Sequence, residues 1–294
     1  MNAKKVKVIK ECGWAGFFIG PLVIGLLLFL VYPLVSALWY SLCDYNLFDA
    51  PVFIGFDNYI GVFTDGVFWK SFGNIFYYAL SVPFIIFVSL VISVLINQDI
   101  KGGVFYRSVF FVPIVCGSVA VTFIWKWMYA PYYGVIERIF ETLSLIPPLW
   151  LSDAWFIPSM IVVSLWGGLG INILLYSATL KNIPTSLYEA AKIDGANWGQ
   201  TFFKITFPQI SPITFYLFVT GLVGTLQEFT RFRVMSGGGF NENTIVPVWY
   251  IYFFTGEYGY EFGYASAMGV VFGLILLLLV GLNFYAQKWW VKYD

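Results

Sequence analysis

Glu189-Ala190-Ala191-Lys192-Ile193-Asp194-Gly195-Ala196, with Phe202, Ile205 and Pro208 following it, is the stretch on which the interpretation of this chain turns. It is polar, it carries helix-start and helix-stop residues, and it lies between two long apolar stretches. A membrane protein that keeps such a defined polar hairpin between spans usually presents it to a soluble partner. The segment is therefore the best clue in the sequence to what drives the protein.

The composition is that of a membrane protein. Of the 294 residues, 60% are hydrophobic and 11% are charged, whereas soluble proteins carry about 25% charged residues. The net charge of zero argues against nucleic acid as a partner. The chain has no histidine, which excludes imidazole metal ligands and histidine-dependent catalysis. The three cysteines, Cys12, Cys43 and Cys116, are far apart and are interpreted as small buried hydrophobes, so we expect no metal site and no catalytic residue.

Six stretches are long and apolar enough to cross a bilayer, which takes about 20 residues. The first follows a lysine-rich start and resembles a signal sequence, but it is too long for one and is interpreted as an uncleaved span. The predicted spans are residues 14–41, 72–97, 104–129, 156–180, 208–231 and 264–287.

The basic residues predict the orientation of the spans. If the N-terminus is cytoplasmic, the inner segments hold most of the 16 basic residues, as the positive-inside rule requires, and both termini are cytoplasmic. These inner basic residues are Lys4, Lys5, Lys7, Lys10, Lys101, Arg107, Lys181, Lys192, Lys204, Lys288 and Lys292.

The polar hairpin between spans four and five is then cytoplasmic. The pattern S-x-x-E at 186–189 predicts a capping box that starts a short helix at about 186–195, and Gly195 is a typical helix stop. The pattern N-x-x-Q at 197–200 predicts a second cap. A helix of about two turns is not stable alone in water, so the rest of the protein or a docked partner must hold it. The pattern by itself favours an interfacial helix that only connects two spans.

The particular residues of the hairpin carry a resemblance. The pattern E-A-A-x-x-D-G-A-x5-F-x2-I-x2-P resembles, at every specified position, the EAA loop of permease subunits in binding-protein-dependent ABC importers. Gly55-Phe56-Asp57-Asn58-Tyr59 and Ser236-Gly237-Gly238-Gly239 are similar to segments of the carbohydrate-type permeases, akin to the first permease of maltose- and oligosaccharide-type systems. Phe240 departs from the pattern, which usually has proline there. The resemblance covers most of residues 14–290.

The resemblance implies an all-α polytopic membrane protein with six transmembrane helices and a cytoplasmic coupling helix, the type I ABC importer permease fold. It implies a bacterial plasma (inner) membrane location and four kinds of partner besides the lipid bilayer: a second homologous permease, two ATPase subunits, an extracellular solute-binding protein and a saccharide substrate. The chain lacks the phosphate-loop pattern G-x4-G-K-[ST]. It is therefore not expected to be an enzyme or to bind a cofactor, and ATP and Mg²⁺ are expected on the partner ATPases.

The resemblance also implies roles within the coupling helix. Glu189 is the expected charge contact to the ATPase, while Asp194 and Gly195 are expected to fix the turn. Ala190 and Ala191 form a small-residue face that a groove on the partner could approach closely.

Ionisable residues at membrane depth are functional candidates, and in this chain they are Lys126, Glu228 and Arg231. A sugar needs hydrogen-bonding groups for its hydroxyls and an aromatic face for its C–H surface. The candidate substrate contacts are Gln227, Glu228 and Arg231 at the fifth span and Trp166, Asn172 and Tyr176 on the fourth. The alternative is an internal Glu228–Arg231 pair, with the aromatic residues serving only in packing.

These observations predict the transmembrane subunit of an ATP-driven ABC importer, forming half of the pathway for a sugar or oligosaccharide. A cargo of glycerol-phosphate or another polar solute is the alternative within the same architecture. A stand-alone secondary transporter is the alternative from another class, and it would need a coupling-ion site of its own, which the sequence does not show.

Overall fold

The computed structural model of the protein describes residues 17–97, 103–257 and 259–292. The start of the predicted first span and five of the basic residues used for orientation (Lys4, Lys5, Lys7, Lys10 and Lys101) lie outside the described residues. The described chain is almost entirely helical and also has one small antiparallel pair of strands, β1 Cys43–Asp44 and β2 Val52–Phe53.

The helices, in chain order, are α1 Phe17–Tyr40, α2 Asp57–Thr64, α3 Gly66–Ala79, α4 Ser81–Ile96, α5 Gly103–Val115, α6 Ser118–Met128, α7 Val135–Thr142, α8 Phe156–Asn182, α9 Thr185–Ile193, α10 Trp198–Leu226, α11 Thr230–Ser236, α12 Pro247–Tyr252 and α13 Phe262–Ala286. A π-helical turn lies within α1 at Leu27–Val31 and within α10 at Phe202–Thr206, and another follows α12 at Phe253–Glu257.

Five helical stretches of the described chain are long and apolar enough to span a membrane: α1, α3 with α4, α8, α10 and α13. The predicted third span is a bent pair, because residues 108–115 of α5 meet α6 at 106°, and counting this pair as one span gives six. The bend lies at Gly117, whose backbone is extended (ψ 138°), and Pro113 removes a helical hydrogen bond just before it. Cys116, which the sequence predicts to be buried, is exposed at this bend, whereas Cys43 is buried.

The fifth span differs from its predicted bounds of 208–231 at both ends. The helix α10 begins at Trp198 and continues through Pro208 without a break. Proline has no N–H to donate, and the π-turn before it accommodates this, since the Phe207 N–H donates five residues back to the Phe202 carbonyl. At the other end α10 stops at Leu226, and Arg231 belongs to the separate helix α11.

Residues 17–65 and 251–273 form one compact unit. No residue of α1 is buried, so its apolar surface faces outward along its whole length. The Asn58 amide holds the chain after α1 by donating to the carbonyls of Ser41 and Cys43 at 3.0 and 2.9 Å. The Tyr264 hydroxyl donates to the Asp65 carboxylate at 3.0 Å, which ties the start of α13 to the end of α2.

Residues 66–250 and 274–292 form the second unit, which contains both candidate sites. The helices α4, α8 and α10 meet in one apolar cluster, made of Val82, Ile86, Tyr176, Leu180, Ile183, Ile210 and Leu217. The helix α8 also packs closely on α5 at Gly170, where a β-carbon would collide with the backbone carbonyl of Phe110. Small residues at such crossings allow membrane helices to approach one another.

Replacing Gly170 with alanine is expected to destabilise the protein by about 1–3 kcal/mol, because the added methyl group overfills a backbone contact. Thermal unfolding of the purified protein in detergent measures the change. Gly281→Ala in α13 is the matched control, since its added methyl group would meet no described atom within 4 Å beyond the neighbouring residues and backbone of its own helix. Equal stability of the two variants would contradict the close packing of α8 on α5.

Candidate functional site

The turn of the polar hairpin, between α9 and α10, has the geometry that the sequence predicts. Gly195 has a φ of +71°, and the Gly195 and Ala196 amides donate to the carbonyls of Lys192 and Ala191 at 3.2 and 2.9 Å. This is a Schellman motif, which ends a helix with a left-handed residue. The second cap is also present, because Asn197 and Gln200 exchange side-chain to backbone hydrogen bonds, both of 2.9 Å.

The predicted capping box at the start of α9 is not formed. The helix begins at Thr185, directly after Pro184, and no side chain caps it. Pro184 occupies the N-cap position, so Ser186 lies inside the first turn, two residues too late to act as the N-cap. The extended backbone at Pro184 (ψ 127°) ends the preceding connection and starts the helix.

The rest of this unit holds α9 on its inner side. The hydroxyls of Tyr188 and Thr206 are hydrogen-bonded at 3.1 Å, which joins α9 directly to α10. Tyr188 and Ile205 pack against the apolar cluster between the spans, and Ala191 is buried. The protein itself thus supplies the support that a helix of this length requires.

The outer side of the hairpin carries acidic and apolar groups together. Glu189, Ala190 and Asp194 are exposed. Ile193 is 86% exposed and Trp198 is 69% exposed, on a segment that is otherwise polar. Large apolar side chains exposed beside charged ones are typical of a protein–protein docking surface.

A cavity of about 390 Å³ opens among the spans of the same unit. Ser164 and Asn172 of α8 contribute polar groups to its wall, Thr220 and Thr225 of α10 contribute two more, and the half-exposed ring of Tyr216 also lines it. The complete lining is Tyr78, Val82, Ile85, Ser164, Gly167, Gly168, Ile171, Asn172, Leu175, Tyr216, Leu217, Thr220, Gly221, Gly224, Thr225, Glu228 and Arg231. The wall therefore combines hydroxyl and amide groups with an aromatic ring.

Glu228 and Arg231 form the charged end of this cavity. The Glu228 Oε2 atom lies 3.5 Å from the Arg231 Nε atom, and Oε1 accepts a hydrogen bond from the Arg231 backbone N–H at 3.2 Å. The buried Tyr78 hydroxyl interacts with the Arg231 guanidinium and with the Ser164 hydroxyl. The internal Glu228–Arg231 pair, which the sequence left open as an alternative, is thus present. Both of its residues also line the cavity.

The structure brings together three of the six candidate substrate residues, namely Asn172, Glu228 and Arg231. Gln227 is exposed and does not line the cavity. Tyr176 is buried in the apolar cluster, where its hydroxyl donates to Thr214 Oγ1 at 3.0 Å. Trp166 lies edge-on to Trp125, with ring centroids 5.9 Å apart, and is also outside the lining. Substrate contact by these last three residues stays a prediction.

Several residues of the cavity wall, above all Tyr78 and Tyr216, were not predicted from the sequence. Thr220, Gly224 and Glu228 recur every four residues, which places them on one face of a helix. Small and polar residues at that spacing in an apolar span were the available signal. Tyr78 gave none, because its role depends on the fold of α11 against α3.

The connection from α11 to α12 is held at Asp153, in the segment before α8. The amides of Asn241 and Asn243 donate to the two carboxylate oxygens of Asp153 at 2.8 and 2.6 Å. These hydrogen bonds stabilise the ionised carboxylate and lower the pKa of Asp153. The Asn74 amide donates to the carbonyls of Glu242 and Ile245 in the same connection, at 3.0 and 2.9 Å.

A family model of the binding-protein-dependent transport system inner membrane component matches residues 59–291. That range is most of the chain, and the protein therefore belongs to this family of membrane transport permeases.

Individual relatives agree along almost the whole chain. The probable ABC transporter permease protein YesP of Bacillus subtilis (strain 168) is 35% identical, covering 99% of this chain and 96% of the relative. The lactose transport system permease protein LacF of Rhizobium radiobacter is 30% identical over 94% of both chains. Among solved structures, a bacterial ABC transporter involved in the import of the acidic polysaccharide alginate matches with a TM-score of 0.85 and 24% identity, covering 98% of this chain and 100% of the other. The fold is thus that of the type I ABC importer permeases.

Replacing Asp153 with asparagine is expected to loosen the connection between α11 and α12. An amide has one acceptor oxygen in place of two, so either Asn241 or Asn243 loses its acceptor. The stabilisation comes from a carboxylate whose pKa is lowered by folding. The difference from the parent protein should therefore be full above about pH 4, the usual value for aspartate, and vanish as the pH falls through the lowered pKa.

Thermal unfolding of both proteins between about pH 3 and pH 7 measures this difference. A stability difference that is independent of pH would contradict the assigned role of the Asp153 carboxylate.

Proposed function

We propose that this chain is the transmembrane subunit of an ATP-driven importer and forms half of the translocation pathway for a sugar or oligosaccharide. The observation that carries the proposal is the combination, in one unit, of a polar cavity among the spans and an exposed docking hairpin. Membership of the family supports the transport role, and the relative named for lactose transport supports the class of cargo.

The cavity wall supports a saccharide as the cargo. Its volume of about 390 Å³ lies within the range of small-molecule sites, which is about 300–1,000 Å³. Ser164, Asn172 and Thr220 offer donors and acceptors for hydroxyl groups. Tyr216 offers an aromatic face for the C–H surface of a sugar ring. Because Glu228 and Arg231 neutralise one another, the cavity does not require a charged cargo.

The hairpin supports a separate ATPase as the motor. Its exposed Glu189, Ile193 and Trp198 give a partner both a charge and apolar contacts, and its inner side fixes it to α10. The sequence has no phosphate loop, so ATP and Mg²⁺ are assigned to two partner ATPase subunits. In this proposal Asp194 and Gly195 hold the turn, and Ala190 lies on the face that the ATPase approaches.

The remaining partners follow from the same proposal. The distribution of basic residues supports a cytoplasmic hairpin and cytoplasmic termini. The exposed apolar surface of α1 suits lipid or a second homologous permease, which would complete the pathway. An extracellular solute-binding protein would deliver the cargo to the opposite end of the spans.

Uptake by the complete importer tests the cargo. The chain is reconstituted in liposomes with its partner permease, ATPase and binding protein, and ATP-dependent uptake of labelled lactose, maltotriose and sn-glycerol-3-phosphate is measured. Gly224→Val is expected to reduce saccharide uptake by about tenfold, because Gly224 lines the cavity and a larger side chain there occupies space that the cargo needs. Gly281→Val, on an exposed position of α13 outside the cavity, is the matched control.

Each result has a distinct meaning for the proposal. Saccharide uptake that only Gly224→Val reduces supports it. Uptake of the phosphate ester without any saccharide supports the alternative cargo. Uptake that requires an ion gradient and no ATPase supports a stand-alone secondary transporter.

Two substitutions in the hairpin test the ATPase contact. Glu189→Lys reverses the exposed charge, and Gly195→Pro is incompatible with a φ of +71° and removes the amide donor of the Schellman motif. Each is expected to abolish ATP-dependent uptake while the chain still inserts in the membrane. Co-purification of the ATPase with the tagged chain measures the contact directly.

One control reverses a charge away from the hairpin, and the other changes the same turn residue to one that keeps the turn. Glu141→Lys reverses an exposed charge at the end of α7, and Gly195→Asn places at the turn a residue that tolerates positive φ. Both are expected to retain the ATPase. Normal uptake by Glu189→Lys and Gly195→Pro would refute the assignment of the hairpin.

A further inference from the structure

Lys126 is a charged residue within the spans that the cavity does not use. It lies in the last turn of α6, after the bend in the third span. Its Nζ atom donates a hydrogen bond to the backbone carbonyl of Val234, in α11, at 2.9 Å. In the described part of the chain, the salt bridges do not include Lys126. Its ammonium group is thus committed to a helix carbonyl rather than to a carboxylate.

The contact lies at the C-terminal end of α11. This helix ends at Ser236, and Gly237 follows with a φ of +83°. The carbonyls at the end of a helix carry the negative end of its dipole, so a cation there is stabilising. The Val234 carbonyl accepts the Lys126 ammonium group in addition to the Gly237 N–H at 3.3 Å. Gly237 lies directly beside the lysine, since a β-carbon there would be in ordinary contact with the Lys126 Nζ atom at 3.5 Å, and its positive φ favours glycine.

The other end of α11 is held by Glu228, which accepts the hydrogen bond from the Arg231 N–H. The helix has only seven residues, too few to be stable without support. Its buried side packs through Phe232, whose ring meets the Tyr78 ring edge-on at 4.9 Å. A carboxylate and an ammonium group therefore clamp the two ends of the helix that carries Arg231 into the cavity.

We propose that Lys126 is a positioning residue for the cavity: by anchoring the C-terminal end of α11, it fixes where the Arg231 guanidinium stands against Glu228 and the cargo. The inference rests on the proposed function of the cavity. Lys126 does not line the cavity itself, so it acts on the cargo through α11. The same contact attaches the bent third span to the charged end of the pathway.

Hydrogen exchange of the reconstituted importer tests the anchor without any cargo. Lys126→Gln is expected to speed exchange of the amides in residues 229–240 by about tenfold, the effect of losing a hydrogen bond to a charged group. Lys126→Arg keeps a cationic donor and is expected to restore slow exchange. Lys288→Gln, which removes a lysine lying over Tyr285, is the matched control and should leave the segment unchanged.

Uptake kinetics with labelled lactose or maltotriose test the functional half. Lys126→Gln is expected to raise KM by about tenfold, for the same lost interaction, with little change in the maximal rate. Lys126→Arg should return KM to the parent value. A purely structural defect would instead lower the amount of assembled importer and the maximal rate, and leave KM unchanged.

The outcomes separate this inference from the proposed function. If the parent importer transports sn-glycerol-3-phosphate and no saccharide, the saccharide proposal fails, and KM for the phosphate ester is measured instead. Unchanged exchange in Lys126→Gln overturns the anchor. Faster exchange with an unchanged KM overturns the positioning role.

Discussion

The Glu228 carboxylate is the group on which the candidate pathway depends. A lone arginine within a membrane is costly, by about 2.5–3.5 kcal/mol on insertion scales, and Glu228 offsets this cost through Arg231 Nε at 3.5 Å. The same carboxylate accepts the Arg231 N–H and so supports the first turn of α11. The Glu228 side chain thus stabilises both the helix that starts after the break at Leu226 and the Arg231 charge inside the cavity. Without it, a second helix starting so soon after α10 would leave an amide unpaired.

The charge pair also determines how the cavity can discriminate among cargoes. With Glu228 and Arg231 paired with each other, the proposed recognition of a cargo rests on uncharged groups such as Asn172 and Thr220 and on the Tyr216 ring. Sites that hydrogen-bond a hydroxyl reject analogues that lack it, because their own buried polar groups would be left unpaired. Such a wall distinguishes solutes by the placement of their hydroxyl groups rather than by their net charge. The glycines of the wall have no side chains, so they leave space for a cargo instead of contacting it.

The sequence predicted those features that local chemistry determines. The left-handed turn at Gly195 and the cap at Asn197 follow from a few neighbouring residues, and both are present. The apolar runs likewise predicted the helices, with bounds that shift by several residues. What it missed depends on contacts between distant segments. Tyr176 has the chemistry of a sugar contact, but the packing of α4, α8 and α10 buries it, while Tyr216 has the same chemistry and lines the cavity. The cap predicted at Ser186 is wrong by two residues, because Pro184 occupies the N-cap position.

The uninterrupted course of α10 gives the hairpin a direct mechanical connection to the cavity. Its 29 residues span about 43 Å, with Trp198 at one end and the cavity residues Thr220 and Gly224 towards the other. The hydrogen bond between Tyr188 and Thr206 joins α9 to this helix near the docking surface. The predicted fifth span starts only at residue 208, whereas the observed helix runs from Trp198 across Pro208, where the π-turn preserves it. A displacement applied to α9 is therefore transmitted along one continuous helix to the cavity wall. The next element after α10 is α11, which Glu228 and Lys126 hold at its two ends, so a movement of α10 acts on α11 first.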